Sequence, residues 1–217
     1  MSHTSTRVHA EHFQYLAERT SGDDTFLTEL KAAAAQEGIP AIWVAPEQNS
    51  FLAILLRLIG AKEVVEVGTL AGYSAIGMAR ALPKDGRLRT IELSPKHAKF
   101  ARDWVAKSDV SEVVQVLEGS GRELLPTFAD NSVDAVFLDA DKAGYPGYIT
   151  EAMRFVRPGG LIMADNAFAF GQLFDENPTD PEVSAVKAFN DFIPTVKNLE
   201  AVIVPMGDGV WVGVKTE

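Results

Sequence analysis

The sequence predicts an α/β fold in which a mostly parallel sheet of seven strands carries helices on both faces. From about residue 63 onward, short β-branched segments alternate with segments of helical periodicity, which is typical of parallel strands joined by crossover helices. The strand segments are largely apolar, as expected for a sheet that is covered on both sides. The last 25 residues contain two strand segments with too few residues between them for a helix, which predicts a closing antiparallel hairpin.

Two helical regions precede the sheet. Residues 10–35 carry apolar side chains spaced for one helix face and end in four consecutive alanines, so we interpret them as one helix. Residues 46–59 repeat apolar side chains at intervals of three and four and predict a second helix. We expect a single domain over residues 1–217, in which residues 1–60 form N-terminal helices that act as a lid and residues 61–217 form the ligand-binding core.

Strands and helices alternate regularly through the core. The predicted strands cover residues 63–67, 88–93, 113–117, 133–138, 161–164, 201–204 and 210–214. The predicted crossover helices cover residues 75–81, 96–107, 122–125, 148–155 and 183–192. If the first and fourth strands flank the point where strand order reverses, neighbouring strands have the order 2-1-4-5. The carboxyl ends of these strands then share one edge, which is where open parallel sheets bind their ligands.

Composition restricts the classes of partner. The chain has 20 Lys and Arg against 30 Asp and Glu, a formal charge of −10, so phosphate backbones and anionic membrane surfaces would on average be repelled. The chain has no cysteine, which excludes disulfides, thiolate metal sites and cysteine nucleophiles and fits a reducing compartment. The sequence shows no signal peptide or membrane-spanning segment. We therefore expect a cytoplasmic protein that binds neither membranes nor, in general, nucleic acids.

The first strand runs through a glycine turn into a helix. Gly68 allows a ligand to approach the backbone, but Leu70 and Tyr73 stand where a dinucleotide fingerprint needs further glycines. Glu92, 24 residues beyond Gly68, ends the second strand and is placed to accept hydrogen bonds from ribose hydroxyls. A nucleoside without phosphates is the consistent ligand. The alternative is that the glycines only form a tight turn and that Glu92 is a solvated strand end.

Oxygen-bearing side chains follow the fourth and fifth strands. Asp139, Asp165 and Asn166 form a set suited to a hard divalent cation such as Mg²⁺, with positions left for water or substrate. The alternative is that these residues cap turns and helices. Lys142 leaves the fourth strand three residues after Asp139, and it is either a general base or a lysine paired with Asp139 or Asp141.

Five motifs carry a resemblance to a known family: EVGTLAGYS, TIELSP, FLDADKAGY, RPGGLIMADN and GDGV. Over residues 42–215 the sequence resembles the cation-dependent, S-adenosylmethionine-dependent O-methyltransferases of the caffeoyl-CoA and catechol type. The resemblance implies a Rossmann-like class I methyltransferase fold with S-adenosylmethionine (SAM) as methyl donor. It implies a divalent cation, Mg²⁺ with Mn²⁺ or Ca²⁺ as alternatives, a homodimer, and methylation of one of two vicinal hydroxyls on a small aromatic, catechol-like substrate.

The resemblance also implies roles for individual residues. The implied donor contacts are Val44, Glu66, Gly68, Thr69, Ser74, Glu92, Gly119, Ser120, Gly121, Asp139 and Asp141. The implied metal ligands are Asp139, Asp165 and Asn166, and the implied catalytic residues are Lys142, as base, and Asp139.

Two other functions stay open. Relatives of this fold methylate a hydroxylated uridine in tRNA, and a local basic patch of Lys96, Lys99, Arg102 and Lys107 would favour that substrate. The other alternative is a non-catalytic nucleotide-binding module, because a fold alone does not fix a function.

Overall fold

A computed structural model describes residues 8–20 and 22–217, so residues 1–7 and 21 of the predicted lid lie outside the described residues. The helices are α1 Ala10–Ala17, α2 Thr25–Gln36, α3 Pro46–Leu58, α4 Tyr73–Ala79, α5 Pro95–Val105, α6 Gly121–Leu124, α7 Tyr145–Phe155 and α8 Pro181–Phe192. The strands are β1 Glu63–Val67, β2 Arg87–Glu92, β3 Val114–Glu118, β4 Val133–Leu138, β5 Val156–Ala164, β6 Leu199–Val204 and β7 Val210–Lys215.

The seven strands form one sheet in the order β3-β2-β1-β4-β5-β7-β6. β1 pairs in parallel with both β2 and β4, so strand order reverses between β1 and β4, as predicted. β7 runs antiparallel to both of its neighbours, β5 and β6, which confirms the closing hairpin. The predicted fold class is therefore confirmed, and its ligand-binding edge lies at the carboxyl ends of β1, β2, β4 and β5.

Each face of the sheet has its own hydrophobic core because successive strand residues point to opposite sides. Val64 and Ala135 pack with the helices α2 to α5 on one face. Val65 and Val136 pack with α7 and α8 on the other. All four side chains are fully buried. No helix among residues 8–20 and 22–217 combines the length and the apolar character needed to cross a membrane.

The single helix predicted over residues 10–35 is wrong, because the structure divides this region into α1 and α2. The backbone of Asp24 is extended, with ψ of 177°, and its side chain accepts a hydrogen bond from the backbone N–H of Leu27 at 2.9 Å. A residue in this conformation caps a new helix and cannot continue an old one. Asp23 accepts a hydrogen bond from the Tyr73 hydroxyl at 2.6 Å, which fixes the start of α2 to the start of α4.

Candidate functional site

Backbone hydrogen bonds continue past the ends of the strands and bring their last residues into one row. The N–H of Gly119 donates to the carbonyl of Glu92 at 2.9 Å, and that of Gly68 donates to Ile91 at 2.9 Å. The N–H of Asp139 donates to the carbonyl of Val67 at 2.8 Å, and the N–H of Asp165 donates to the carbonyl of Leu138 at 3.0 Å. Glu92, Asp139 and Asp165 therefore lie along one edge of the sheet, as the sequence predicts.

A cavity of about 610 Å³ opens along this edge, a volume in the range of small-molecule and cofactor sites. Nine of the eleven residues proposed as donor contacts line it: Gly68, Thr69, Ser74, Glu92, Gly119, Ser120, Gly121, Asp139 and Asp141. The other two do not line it. Val44 is buried in the hydrophobic core, and Glu66 lies behind the wall with no exposed surface.

Glu92 ends β2 with its carboxylate held by the backbone. Oε2 accepts a hydrogen bond from the N–H of Leu70 and Oε1 accepts one from the N–H of Ser94, each at 2.8 Å. His97 Nδ1 lies 3.7 Å from Oε1. Each carboxylate oxygen has a second lone pair, so Glu92 can still accept hydrogen bonds from two adjacent hydroxyls of a ligand. This geometry suits the ribose role expected of it.

Glu66 supports the cavity wall from behind. Its two oxygens accept hydrogen bonds from Ser74 Oγ at 2.6 Å and from Thr90 Oγ1 at 2.5 Å. The hydroxyl of Thr69 lies 2.5 Å from that of Thr90 and extends the chain of hydrogen bonds to the wall. Burial raises the pKa of Glu66 to about 8, since the surrounding hydroxyls only partly replace lost solvation. Glu66 thus orients the lining residues Ser74 and Thr69.

The turn at residues 119–121 lines the cavity beside Tyr148 and has no room for a side chain at Gly121. A Cβ on Gly121 would lie 2.9 Å from both Tyr148 and Val67. The hydroxyl of Tyr148 donates a hydrogen bond to Asp141 Oδ1 at 2.6 Å, and Arg122 lies 3.8 Å from the same carboxylate. Burial and the charge of Asp141 raise the pKa of Tyr148, so its hydroxyl keeps its proton and remains a donor.

Of the predicted metal ligands, Asp139 lines the cavity, whereas Asp165 and Asn166 follow the neighbouring strand β5. Asp165 is buried, and burial together with the negative charge of Asp139 raises the pKa of its carboxyl well above the usual range. A buried carboxylate next to a second carboxylate is favourable as an anion only beside a cation. Asp165 Oδ1 accepts a hydrogen bond from Gln48 Nε2 at 2.8 Å, which leaves Oδ2 for a ligand.

Asn166 completes this set through its carboxamide. Its Nδ2 donates to Asp208 Oδ2 at 3.1 Å, so its Oδ1 is the atom left to coordinate. Within the described residues, no group of three or more His, Asp or Glu side chains could hold a metal ion. The predicted site depends on an amide oxygen as its third ligand, and its all-oxygen donors fit a hard cation.

Lys142 is buried beside the same group of residues. Its Nζ donates to Tyr145 Oη at 2.6 Å and lies 3.3 Å from Asp139 Oδ1, so of its two predicted partners it contacts Asp139. Tyr145 is fully buried and donates its own proton to the carbonyl of Leu138 at 3.0 Å. The hydroxyl oxygen of Tyr145 can therefore only accept from Lys142, and this contact fixes the position of the ammonium group.

The sequence interpretation did not identify four supporting residues. They are Gln48, Thr90, Tyr145 and Asp208. Asp208 lies in the GDGV motif, and Tyr145 in FLDADKAGY, so both were visible as motif positions without a stated role. Thr90 is the first residue of the TIELSP motif, also without a stated role, whereas Gln48 had no such signal because it reads as an ordinary helix position.

The basic patch considered for tRNA is largely paired with acidic side chains. Lys99 contacts Asp103 at 2.6 Å, and Arg102 contacts Glu118 at 3.0 Å. Lys96 donates to the backbone carbonyl of Glu37 at 2.5 Å. A phosphate would have to compete with these carboxylates, which weakens the electrostatic case for nucleic acid.

Comparison with known proteins identifies the family. A family model described as O-methyltransferase matches residues 17–216. A catechol O-methyltransferase from Niastella koreensis is 40% identical over 204 residues, which cover 93% of this chain and 90% of the relative. The O-methyltransferase TomG from Streptomyces achromogenes, involved in tomaymycin synthesis and solved in complex with SAM, is 30% identical with a TM-score of 0.85, covering 95% of this chain and 96% of that one. An O-methyltransferase from Bacillus cereus in complex with S-adenosylhomocysteine (SAH) is 31% identical with a TM-score of 0.85, covering 95% and 97%.

The sheet order and the edge cavity define a Rossmann-like methyltransferase fold. The chain belongs to the O-methyltransferase family and is an enzyme of that class.

Proposed function

We propose that this enzyme transfers the methyl group of SAM to one of two vicinal hydroxyls on a small aromatic substrate, and that the reaction requires a divalent cation, most simply Mg²⁺. The observation that carries the proposal is the position of Asp139. It lines the donor cavity, and it also stands next to Asp165 at the edge of the sheet. One carboxylate thus links the two halves of a site that must bring donor and acceptor together.

The donor half of the proposal is supported by the cavity and by the relatives. The hydrogen-bonded carboxylate of Glu92 suits a ribose, and the glycines of the turn at residues 119–121, beside Tyr148, leave a side-chain-free surface for the adenine ring. Leu70 and Tyr73 occupy the fingerprint positions where glycines would be needed to bind a pyrophosphate, so SAM is favoured over NAD. TomG and the Bacillus cereus enzyme were solved with SAM and SAH, respectively.

The cation half is supported by the chemistry of the ligand set. Asp139, Asp165 and Asn166 would hold the ion. When bound, the cation supplies two open positions for adjacent substrate oxygens and lowers the pKa of the oxygen that attacks. Vicinal hydroxyls on an aromatic ring fit this arrangement, and the relative from Niastella koreensis is named for catechol.

The protein's own groups would prepare an in-line displacement. Lys142, held by Tyr145 and 3.3 Å from Asp139, would receive the hydroxyl proton as the neutral amine and thereby become the ammonium group. The walls of the cavity hold the donor in one orientation, because Glu92 and Ser74 are fixed by hydrogen bonds. Alignment of the attacking oxygen, the methyl carbon and the sulfur then supplies much of the rate.

An acceptor panel tests the proposal. Methyl transfer from labelled SAM to catechols, monophenols, hydroxylated nucleosides and unmodified tRNA should be measured with Mg²⁺ and with a chelator. We expect transfer to catechols only, lost with chelator and restored by added Mg²⁺. Label in tRNA and none in catechols would favour the tRNA alternative, and binding of NAD but not SAM would favour the nucleotide-binding module.

We also propose a cytoplasmic homodimer. The absence of cysteine supports the compartment. Exposed apolar side chains support self-association, with Leu58 on α3 exposed by 76% and Val202 on the edge strand β6 by 60%. Light scattering coupled to gel filtration tests the dimer, and a monomer mass over the micromolar range would contradict it.

A further inference from the structure

The turn between β6 and β7, residues 205–209, packs against the proposed cation site from outside the donor cavity. Its backbone accepts hydrogen bonds from the N–H groups of Ala167 and Phe168 at 2.9 and 2.8 Å. A Cβ on Gly207 would lie 2.3 Å from the Gln48 carboxamide, whose Nε2 donates a hydrogen bond to Asp165. The turn therefore touches the immediate neighbours of two proposed metal ligands.

Asp208 makes the most specific of these contacts. Its Oδ2 accepts hydrogen bonds from Asn166 Nδ2 at 3.1 Å and from the N–H of Phe170 at 2.8 Å, and its Oδ1 accepts one from the N–H of Gly171 at 3.2 Å. A carboxylate can only accept, so it selects the NH₂ end of the Asn166 carboxamide. In the part of the chain that the structure describes, no donor is hydrogen-bonded to Asn166 Oδ1.

The segment that carries Asn166 needs such support. Asn166, Ala169 and Phe170 have φ values of 64°, 54° and 58°, a left-handed conformation that non-glycine residues seldom adopt. Asp208 bonds to this segment at both its beginning and its end. One side chain therefore holds the backbone in place and also sets which end of the carboxamide is free.

We propose that Asp208 is a positioning residue for the cation, which keeps the Asn166 carboxamide in the one orientation that presents oxygen instead of NH₂. The inference rests on the proposed cation site. A carboxamide turned by 180° would direct two N–H donors at the ion and could not coordinate it. Groups behind metal ligands that fix their orientation typically change metal affinity by about 10- to 100-fold when they are replaced.

Mn²⁺ binding without donor or substrate tests this role. Asp208→Asn preserves the size of the side chain but keeps only one acceptor oxygen, so it can no longer accept from Asn166, Phe170 and Gly171 together, and the preference for one Asn166 orientation is weakened. We expect the Mn²⁺ dissociation constant, measured by electron paramagnetic resonance, to rise by about 10- to 100-fold. The matched control is Asp175→Asn. Asp175 accepts a hydrogen bond from the N–H of Asn177 in the connection from β5 to α8, which also carries Asn166, but it contacts no proposed metal ligand. Its Mn²⁺ affinity should equal that of the wild type.

The same substitution in an Asn166→Asp background separates orientation from general damage. A carboxylate at position 166 has oxygen at both ends, so its orientation no longer matters, and an asparagine at position 208 would relieve repulsion between two carboxylates. We expect Asp208→Asn to leave Mn²⁺ affinity unchanged or to raise it in this background. An equal loss of affinity in both backgrounds would overturn the positioning role. If Asp208→Asn does not fold, Asp208→Ser is to be measured in the same two backgrounds.

The outcomes distinguish this inference from the proposed function. If Asp165→Ala abolishes Mn²⁺ binding while Asp208→Asn binds as the wild type does, the cation site stands and the role of Asp208 is wrong. If the wild type does not bind Mn²⁺, both are wrong. Binding of SAH should be unchanged in Asp208→Asn, because Asp208 does not line the donor cavity.

Discussion

Gly68 stands so close to Asp139 that a Cβ on Gly68 would lie 1.9 Å from the Asp139 carbonyl oxygen. Gly68 has a φ of 102°, a backbone conformation that L side chains seldom adopt. The contact joins the ends of β1 and β4, where strand order reverses. Gly68 and Asp139 both line the donor cavity, and Asp139 is also a proposed cation ligand. Both sites therefore depend on this close approach.

Gly68→Ala should be strongly destabilising, because the added methyl group would force β1 and β4 apart in an already strained conformation. We expect a loss of about 3 kcal/mol or more in the free energy of unfolding, or failure to fold. Urea denaturation measures it. The control is Gly147→Ala in α7, where a Cβ meets nothing within 4 Å and the change should be neutral or stabilising. Equal stability of the two variants would contradict the importance of the contact.

Glu92→Ala should weaken donor binding. The substitution removes the carboxylate that accepts from the N–H groups of Leu70 and Ser94 and that would accept from ligand hydroxyls. One hydrogen bond to a charged group contributes about 1.5–3 kcal/mol. Isothermal titration with SAH should show a dissociation constant that is at least about 10-fold higher. Glu118→Ala is the matched control, since Glu118 ends the neighbouring strand and pairs with Arg102. A similar loss in both variants would count against a ribose contact.

Glu66→Gln should change how stability depends on pH. The folded-state pKa of about 8 lies above the ordinary value of 4.5, so between these values the unfolded state ionises Glu66 and the folded state does not. As the pH rises through this range, the free energy of unfolding of the wild type should therefore fall relative to that of Glu66→Gln by up to about 1.4 kcal/mol per pH unit. The difference should be smallest below pH 4.5 and level off above about pH 8. Urea denaturation of both proteins at several pH values measures it, and a difference independent of pH would be the contrary result.

Lys142→Met should reduce turnover without loss of donor binding. Methionine fills a similar volume but can neither receive the hydroxyl proton nor carry charge beside Asp139, and general bases contribute about 10²- to 10⁴-fold. Single-turnover transfer from labelled SAM measures the chemical step, and SAH titration measures the donor site. Lys197→Met on the exposed surface is the control. Full turnover in Lys142→Met would exclude Lys142 as the base.

The position of the site could be predicted from the sequence because it follows from local patterns. Apolar strand segments that end abruptly in Glu92, Asp139 or Asp165 identify the edge, and the parallel order brings these ends together. The break between α1 and α2 had a sequence signal in Gly22 and Asp24, which favour a helix end and an N-cap, but the apolar spacing on both sides favoured one continuous helix.

The supporting contacts could not be predicted because they join distant parts of the chain. Gln48 lies 117 residues from Asp165, and Asp208 lies 42 residues from Asn166. The family resemblance implied that Glu66 contacts the donor, yet Glu66 is fully buried behind Ser74 and Thr90. Only the packing of α4 on β1 determines whether a side chain at that position lines the cavity or supports it.

The most direct measurement is an anomalous difference map from a crystal grown with SAH, a catechol and Mn²⁺. We expect a single strong peak within coordination distance of Asp139, Asp165 and Asn166, with both catechol oxygens bound to it and one of them directed at the sulfur of SAH. A catechol bound with no peak at these three residues, or a Mn²⁺ peak elsewhere on the enzyme, would contradict it.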